Sequence, residues 1–124
     1  SEMCIRDRAY TAVKVMKKTG LPTVITIAPM GENVMRDGVS VVDTCKELEQ
    51  RGGDVVGMNC FRGPSTMMPY IKEVRKALKC HVAALPINFR TTKENPTFFY
   101  LPDIYAISRE SYKDYPHLFS EIVN

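Results

Sequence analysis

No stretch of this chain is apolar for long enough to cross a bilayer. Its longest apolar runs, such as residues 23–30, fall far short of the roughly 20 residues that a spanning helix needs. A secretory leader is also missing, because the first residues carry charges of both signs and no apolar core segment. The net charge is only +3, with lysines and arginines scattered among acidic residues, so there is no basic stripe to bind nucleic acid. Residues 31–38 are rich in glycine but lack the GxxxxGK[ST] order of a phosphate loop. Glu94, Asp103 and Glu110 show no paired spacing for acid–base chemistry. The four cysteines, at 4, 45, 60 and 80, contain no Cys-x-x-Cys pair and no tight framework, and they read as reduced thiols of a cytoplasmic protein.

What is present is the composition of a soluble globular domain, 124 residues with 44% apolar and 25% charged. The first eight residues, Ser-Glu-Met-Cys-Ile-Arg-Asp-Arg, resemble translated read-through of a sequencing adapter. They are expected to be non-native, with Cys4 carrying no chemistry and the domain proper running over 9–124.

From residue 9 the pattern becomes regular. A helix is expected over 9–18, with Tyr10, Val13 and Met16 or Lys17 on related turns and Gly20 as its stop. Residues 23–27 form a β-branched run without polar alternation beyond threonine, which predicts a strand buried on both faces. After a loop over 28–38, Ser40 can cap a helix with Asp43 in the capping-box position, and Val41, Cys45 and Leu48 mark its buried face. Gly52-Gly53 ends it, and residues 54–60 make a second buried strand that closes on Asn59 and Cys60.

A turn over 61–64 leads to a helix opening at Ser65 or Thr66, with the stripe Met67, Ile71, Val74 and Leu78. Pro69 is expected within its first turn, where a missing N–H does little harm. Lys72, Glu73, Arg75 and Lys76 read as its solvated face. A third strand over 81–85, a long polar and aromatic loop to about 103 and a tail helix over 116–122 complete the pattern. Alternating helices and strands at this spacing imply parallel βαβ units, either an open doubly wound sheet or part of a (β/α)8 barrel. A full barrel needs roughly 200 residues or more, so under the barrel reading the chain is a segment.

Reactive groups in parallel α/β folds gather where strands end and loops begin. Asn59 and Cys60 occupy that edge of the second strand. Cys45 falls on an apolar helix stripe and Cys80 lies before its strand, at the opposite edge. Position therefore singles out Cys60, although a free cysteine is also a common small packing residue. Asn59 fits either a group that orients the neighbouring thiol or substrate, or a polar strand end bonded to a loop. His81 starts a strand at the far edge from Cys60 and His117 lies in the tail, so neither makes a Cys–His pair.

Gly57-Met58-Asn59-Cys60, preceded by Gly53-Asp54-Val55-Val56, resembles the G-x-N-C strand end of the homocysteine S-methyltransferase family. The likeness continues in order through Gly20-Leu21-Pro22, Asp37-Gly38-Val39-Ser40, Gly63-Pro64, Ala84-Leu85-Pro86, Thr91-Thr92 and Tyr100-Leu101-Pro102. It covers about residues 10–103 and is nearest the betaine-dependent branch. The resemblance implies α/β architecture as part of a TIM (β/α)8 barrel, and a Zn²⁺ held by three cysteine thiolates, of which Cys60 is one.

The other two thiolates would form a Cys-Cys pair after Gly-Gly, which this sequence does not contain, nor does it contain the family's upstream acidic homocysteine-binding residue. Three sulfurs on a tetrahedral ion leave one position for the homocysteine thiol, which then attacks a methyl donor to give methionine. The implied partners are homocysteine and a donor, betaine or a sulfonium such as S-adenosylmethionine, in a cytoplasmic enzyme that could form a homo-oligomer. Quaternary ammonium groups sit well on aromatic faces, and Phe61, Phe89, Phe98, Phe99 and Tyr100 all follow strands. With one thiolate, these 124 residues alone are expected not to turn over. The competing reading is a non-catalytic α/β binding module in which Cys60 is structural.

Overall fold

The computed structural model describes residues 5–29, 31–88 and 91–97. Along the chain they form α1 (Ile5–Lys17), β1 (Val24–Ile27), α2 (Val41–Gln50), β2 (Val55–Asn59), α3 (Pro64–Ala77) and β3 (His81–Leu85). All strand pairs are parallel and the sheet order is β1-β2-β3. The expected tail helix and the aromatics Phe89, Phe98, Phe99 and Tyr100 lie outside the described residues.

The strands pair in one unbroken register. Ile25, Val56 and Val82 share one row, and Ile27, Met58 and Ala84 the next on the same face. These rows join the core with Val13 of α1, Val41, Cys45 and Leu48 of α2, and Met67, Ile71 and Val74 of α3. Each fully buried aliphatic side chain there contributes about 1.5–3 kcal/mol.

The opposite face carries Val24, Val55, Thr26, Gly57, Ala83, Asn59 and Leu85. Here the expectation of strands buried on both faces is corrected, since Val24 is 59% and Leu85 53% exposed. The cause is topological. Successive crossovers that step the same way along a sheet, each of the usual hand, put their helices on one side and leave the other bare.

Local chemistry explains the element boundaries. Ser40 caps α2 by accepting from the Asp43 amide at 3.0 Å, as the capping pattern predicts. Gly20 and Gly52 take left-handed φ of 72° and 103° where α1 and α2 end. Helix α1 begins at Ile5, inside the octapeptide and four residues earlier than expected, and Arg6 pairs with Asp37 at 2.8 Å. The Tyr10 hydroxyl donates to Glu47 across the α1–α2 contact, under Arg51, whose guanidinium lies 4.1 Å from the ring centroid.

Helix α3 opens at Pro64, one residue before the expected start, so Pro69 is its sixth residue and lies beyond the first turn. The Ser65 carbonyl loses its helical donor there, but both residues are exposed and water can replace it. Arg75 does more than face solvent: it donates to the Leu78 carbonyl at 2.8 Å and to that of Cys80, closing the end of α3.

Two contacts hold the sheet together where its strands begin and at mid-strand. Asp54, just ahead of β2, accepts from the Thr23 amide at 2.7 Å and pairs with Lys17 at 3.2 Å. These donors, the Thr23 amide foremost, lower its carboxyl pKa. A pKa lower in the folded than in the unfolded chain adds stability above the ordinary Asp range, and that stability fades as pH falls through the lowered value. Asp54→Asn is therefore expected to lower the urea midpoint at neutral pH and to narrow its gap from wild type below about pH 4.

At mid-strand, a Cβ on Gly57 would lie 1.8 Å from the Ala83 carbonyl oxygen of β3. Backbone cannot yield as a flexible side chain does. Gly57→Ala is expected to cost at least the upper end of the about 1–3 kcal/mol typical of overpacking, read as a fall in the urea midpoint.

Candidate functional site

Strand β2 delivers its last residues to the C-terminal edge of the sheet in alternation. Met58 points into the helix-covered core, and Asn59 points to the open face and is half-buried. Cys60 then leaves the strand and is exposed. The Asn59 side-chain amide donates to the Cys60 sulfur at 3.0 Å. The Asn59 side chain thus turns toward the sulfur that follows it in the chain.

The chain departs from β2 through an uncommon conformation. Cys60 and Phe61 both have left-handed φ, 59° and 58°, although neither is glycine. Each such residue costs roughly 1–2 kcal/mol in backbone sterics, so the turn persists only because its surroundings hold it. The Cys60 amide donates to the Leu85 carbonyl at 3.1 Å, and the Arg62 amide folds back on the Cys60 carbonyl at 2.7 Å. The Ile87 amide donates to the Arg62 carbonyl at 3.0 Å.

Arg62 is the residue that the sequence pattern missed. The sequence places it only in a turn, yet it is 2% exposed. Its guanidinium donates to the Gly31 carbonyl at 2.6 Å and lies 4.8 Å from the centroid of the Tyr70 ring. Among the described residues no carboxylate pairs with it, and its Nε is buried without a hydrogen-bond partner. Nothing in hydrophobic periodicity signals such a position, because burial here comes from loops meeting across the sheet edge.

A second clasp lies behind the turn. The buried Gly63 amide, at the start of α3, donates to the Thr91 hydroxyl at 2.9 Å, and the Ser65 hydroxyl donates to the Thr91 carbonyl at 2.9 Å. Thr66 bridges the Thr91 hydroxyl, at 2.5 Å, and the Pro96 carbonyl. Gly63 has no side chain to cap its own helix, so a threonine 28 residues onward does it.

The other thiols fall away from this edge. Cys45 is fully buried, and desolvation, with a smaller contribution from Cys80, pushes its thiol pKa up to about 12. Cys80 is half-buried at the opposite end of the sheet, where its amide donates to Glu49 at 2.6 Å; burial first and then Glu49 raise its pKa. His81 pairs with Val55 at the start of the strands, far from Cys60 as expected, and its amide donates to the Asp54 carbonyl. Among the described residues, Cys60 is the one exposed cysteine. Among the described residues no group of three or more His, Cys, Asp or Glu could hold a metal ion, so any ion at Cys60 would have this thiol as its one donor from them.

A family description, homocysteine S-methyltransferase, matches residues 3–120. The chain belongs to the homocysteine S-methyltransferase family. Among relatives, it is 32% identical over 92 residues to betaine–homocysteine S-methyltransferase 1 of Xenopus laevis, covering 68% of this chain and 22% of that protein. It is 30% identical over 90 residues to S-methylmethionine–homocysteine S-methyltransferase of Pongo abelii, covering 68% of this chain and 24% of that protein. The betaine–homocysteine S-methyltransferase 1 of Danio rerio is likewise 30% identical over 90 residues, with 68% and 22% covered. The chain thus spans under a quarter of the length of these curated relatives. No helix among the described residues is long and apolar enough to cross a membrane.

In this member of the family the Thr91 clasp holds the edge of the site to α3. Thr91→Val keeps the shape and strands the buried Gly63 donor, an expected loss of about 1–3 kcal/mol in urea unfolding. Exchange of the Gly63 amide should quicken with it.

Proposed function

We propose that this chain is a segment of the (β/α)8 barrel of a zinc-dependent homocysteine S-methyltransferase, and that Cys60 supplies one of the thiolate ligands. The observation that carries the proposal is the exposed Cys60 sulfur at the C-terminal edge of β2, held by the Asn59 amide at 3.0 Å. Active groups of parallel barrels collect at that edge. The barrel reading draws support from a strand order without reversal and from helices on one face only, which leave the other face for a closed interior. A doubly wound sheet would reverse its strand order.

A Zn²⁺ held by thiolates would supply Lewis-acid chemistry, favouring deprotonation of a thiol presented to it. Cys60 would be the ligand from β2, the remaining donors coming from outside the described residues. Asn59, bonded to the sulfur, fixes the direction of its lone pairs as an outer partner of a metal ligand does. Homocysteine sulfur then attacks the methyl carbon in line. The new C–S bond forms as the methyl bond to the donor's onium atom breaks, and the electron pair leaves with the donor.

Betaine, a quaternary ammonium, is the donor this reading favours, and a sulfonium such as S-adenosylmethionine or S-methylmethionine suits the same chemistry. Phe61, next to Cys60, is the described aromatic nearest in sequence to receive such a cation. Free thiols at Cys45, Cys60 and Cys80 support a reducing, cytoplasmic setting.

Zinc content and methyl transfer to homocysteine, measured on the intact polypeptide, test the proposal. Cys60→Ser should lose zinc and activity together, Cys80→Ala should keep both, and Asn59→Ala should weaken zinc affinity by about 10–100-fold. If Cys60→Ser retained zinc and turnover, Cys60 would be a packing residue and the chain an α/β binding module.

A further inference from the structure

We infer that Arg62 is the positioning residue that locks Cys60 in its left-handed conformation, and so aims the proposed zinc ligand. Its consequence for zinc rests on the function proposed above; its role in the turn does not.

Consecutive non-glycine residues with φ near +60° do not hold themselves in place. The strand-end bond from Cys60 to Leu85 fixes only the entry to the turn. Beyond that entry, four further contacts pass through Arg62. Its amide closes on the Cys60 carbonyl, and its carbonyl takes the Ile87 amide from the segment after β3. Its side chain reaches the Gly31 carbonyl in the loop after β1, and its guanidinium lies over Tyr70 on α3. One residue therefore joins the turn to the exits of β1 and β3 and to the helix behind it.

Burial of the group supports the same role. At 2% exposed, with Nε enclosed and unpartnered among the described residues, the guanidinium is not presented to a diffusing ligand. Burying a cation is costly, and among the described residues this one is held by a carbonyl dipole and an aromatic face rather than a carboxylate. Its partners are spaced around the turn, as a brace requires. A hydrophobic side chain of similar length would fill the volume and keep the backbone bonds, but lose the bond to Gly31 and the cation over Tyr70.

The role predicts a specific rescue. If Arg62 holds a conformation disfavoured for Phe61, glycine at 61 should relieve the need for it, because glycine adopts positive φ freely. The experiment is amide hydrogen exchange on the metal-free intact polypeptide, comparing wild type, Arg62→Met, Phe61→Gly and the double variant. Arg62→Met should speed exchange at Cys60, Arg62 and Ile87 by about tenfold, the factor equivalent to about 1.4 kcal/mol, with β1 and β2 unchanged. Adding Phe61→Gly should return most of that protection.

Unchanged exchange in Arg62→Met, faster exchange throughout the sheet, or no recovery in the double variant would each overturn the assignment. Zinc content of the same four proteins then separates the two claims. Loss in Arg62→Met with recovery in the double variant supports both. If wild type binds no zinc, the functional reading fails while the exchange result still decides the role of Arg62.

Discussion

The close approach of β3 to β2 at Gly57 is the constraint on which the rest of the edge depends. A side chain there would meet the Ala83 carbonyl, so the central strand can seat β3 in register only because this position has none. Once Gly57 pairs with Ala83, Asn59 must pair with Leu85, and the Cys60 amide meets the Leu85 carbonyl. The location of the exposed sulfur is thus set two residue pairs away, by backbone contact.

Beyond the last ladder bond, the molecule spends stability on geometry. Two left-handed residues in a row put Cys60 outside the sheet, where a sulfur can meet an ion or substrate, at an intrinsic cost of roughly 2–4 kcal/mol for the pair. The offset comes from long-range hydrogen bonds to Leu85, Gly31 and Ile87 and from the Thr91 clasp on the first turn of α3. Loops after β1, β2 and β3 consequently behave as one unit. That unity is what a metal or substrate site built from several strand ends needs, since a ligand displaced by an ångström no longer completes a tetrahedron.

Much of this was legible in the residues. Val41, Cys45 and Leu48 announced the buried side of α2, Ser40 its cap, and residues 81–85 the full extent of β3, because periodicity and capping are local properties. Cys60 could be placed at the strand end by the same logic, and the family is confirmed. Local reasoning failed where a fact depends on neighbours in space. The β-branched run of β1 suggested two buried faces, yet Val24 stands exposed, since propensity says nothing about which side the helices take. Arg62 was one residue of a turn, and its burial depends on the loops that enclose it.

The sequence by itself determined the order of elements, the apolar stripes of α2 and α3 and the place of Cys60 at the end of β2. Those follow from spacing of apolar residues and from caps within a few positions of each other. Tertiary structure decided that α1, α2 and α3 lie on one face, that Cys60 and Phe61 are forced into the left-handed region, and that Arg62 and Thr91 brace them. Each of these depends on contacts between residues about 25–30 apart in sequence, whose energies exist only after the sheet has brought the strand ends together.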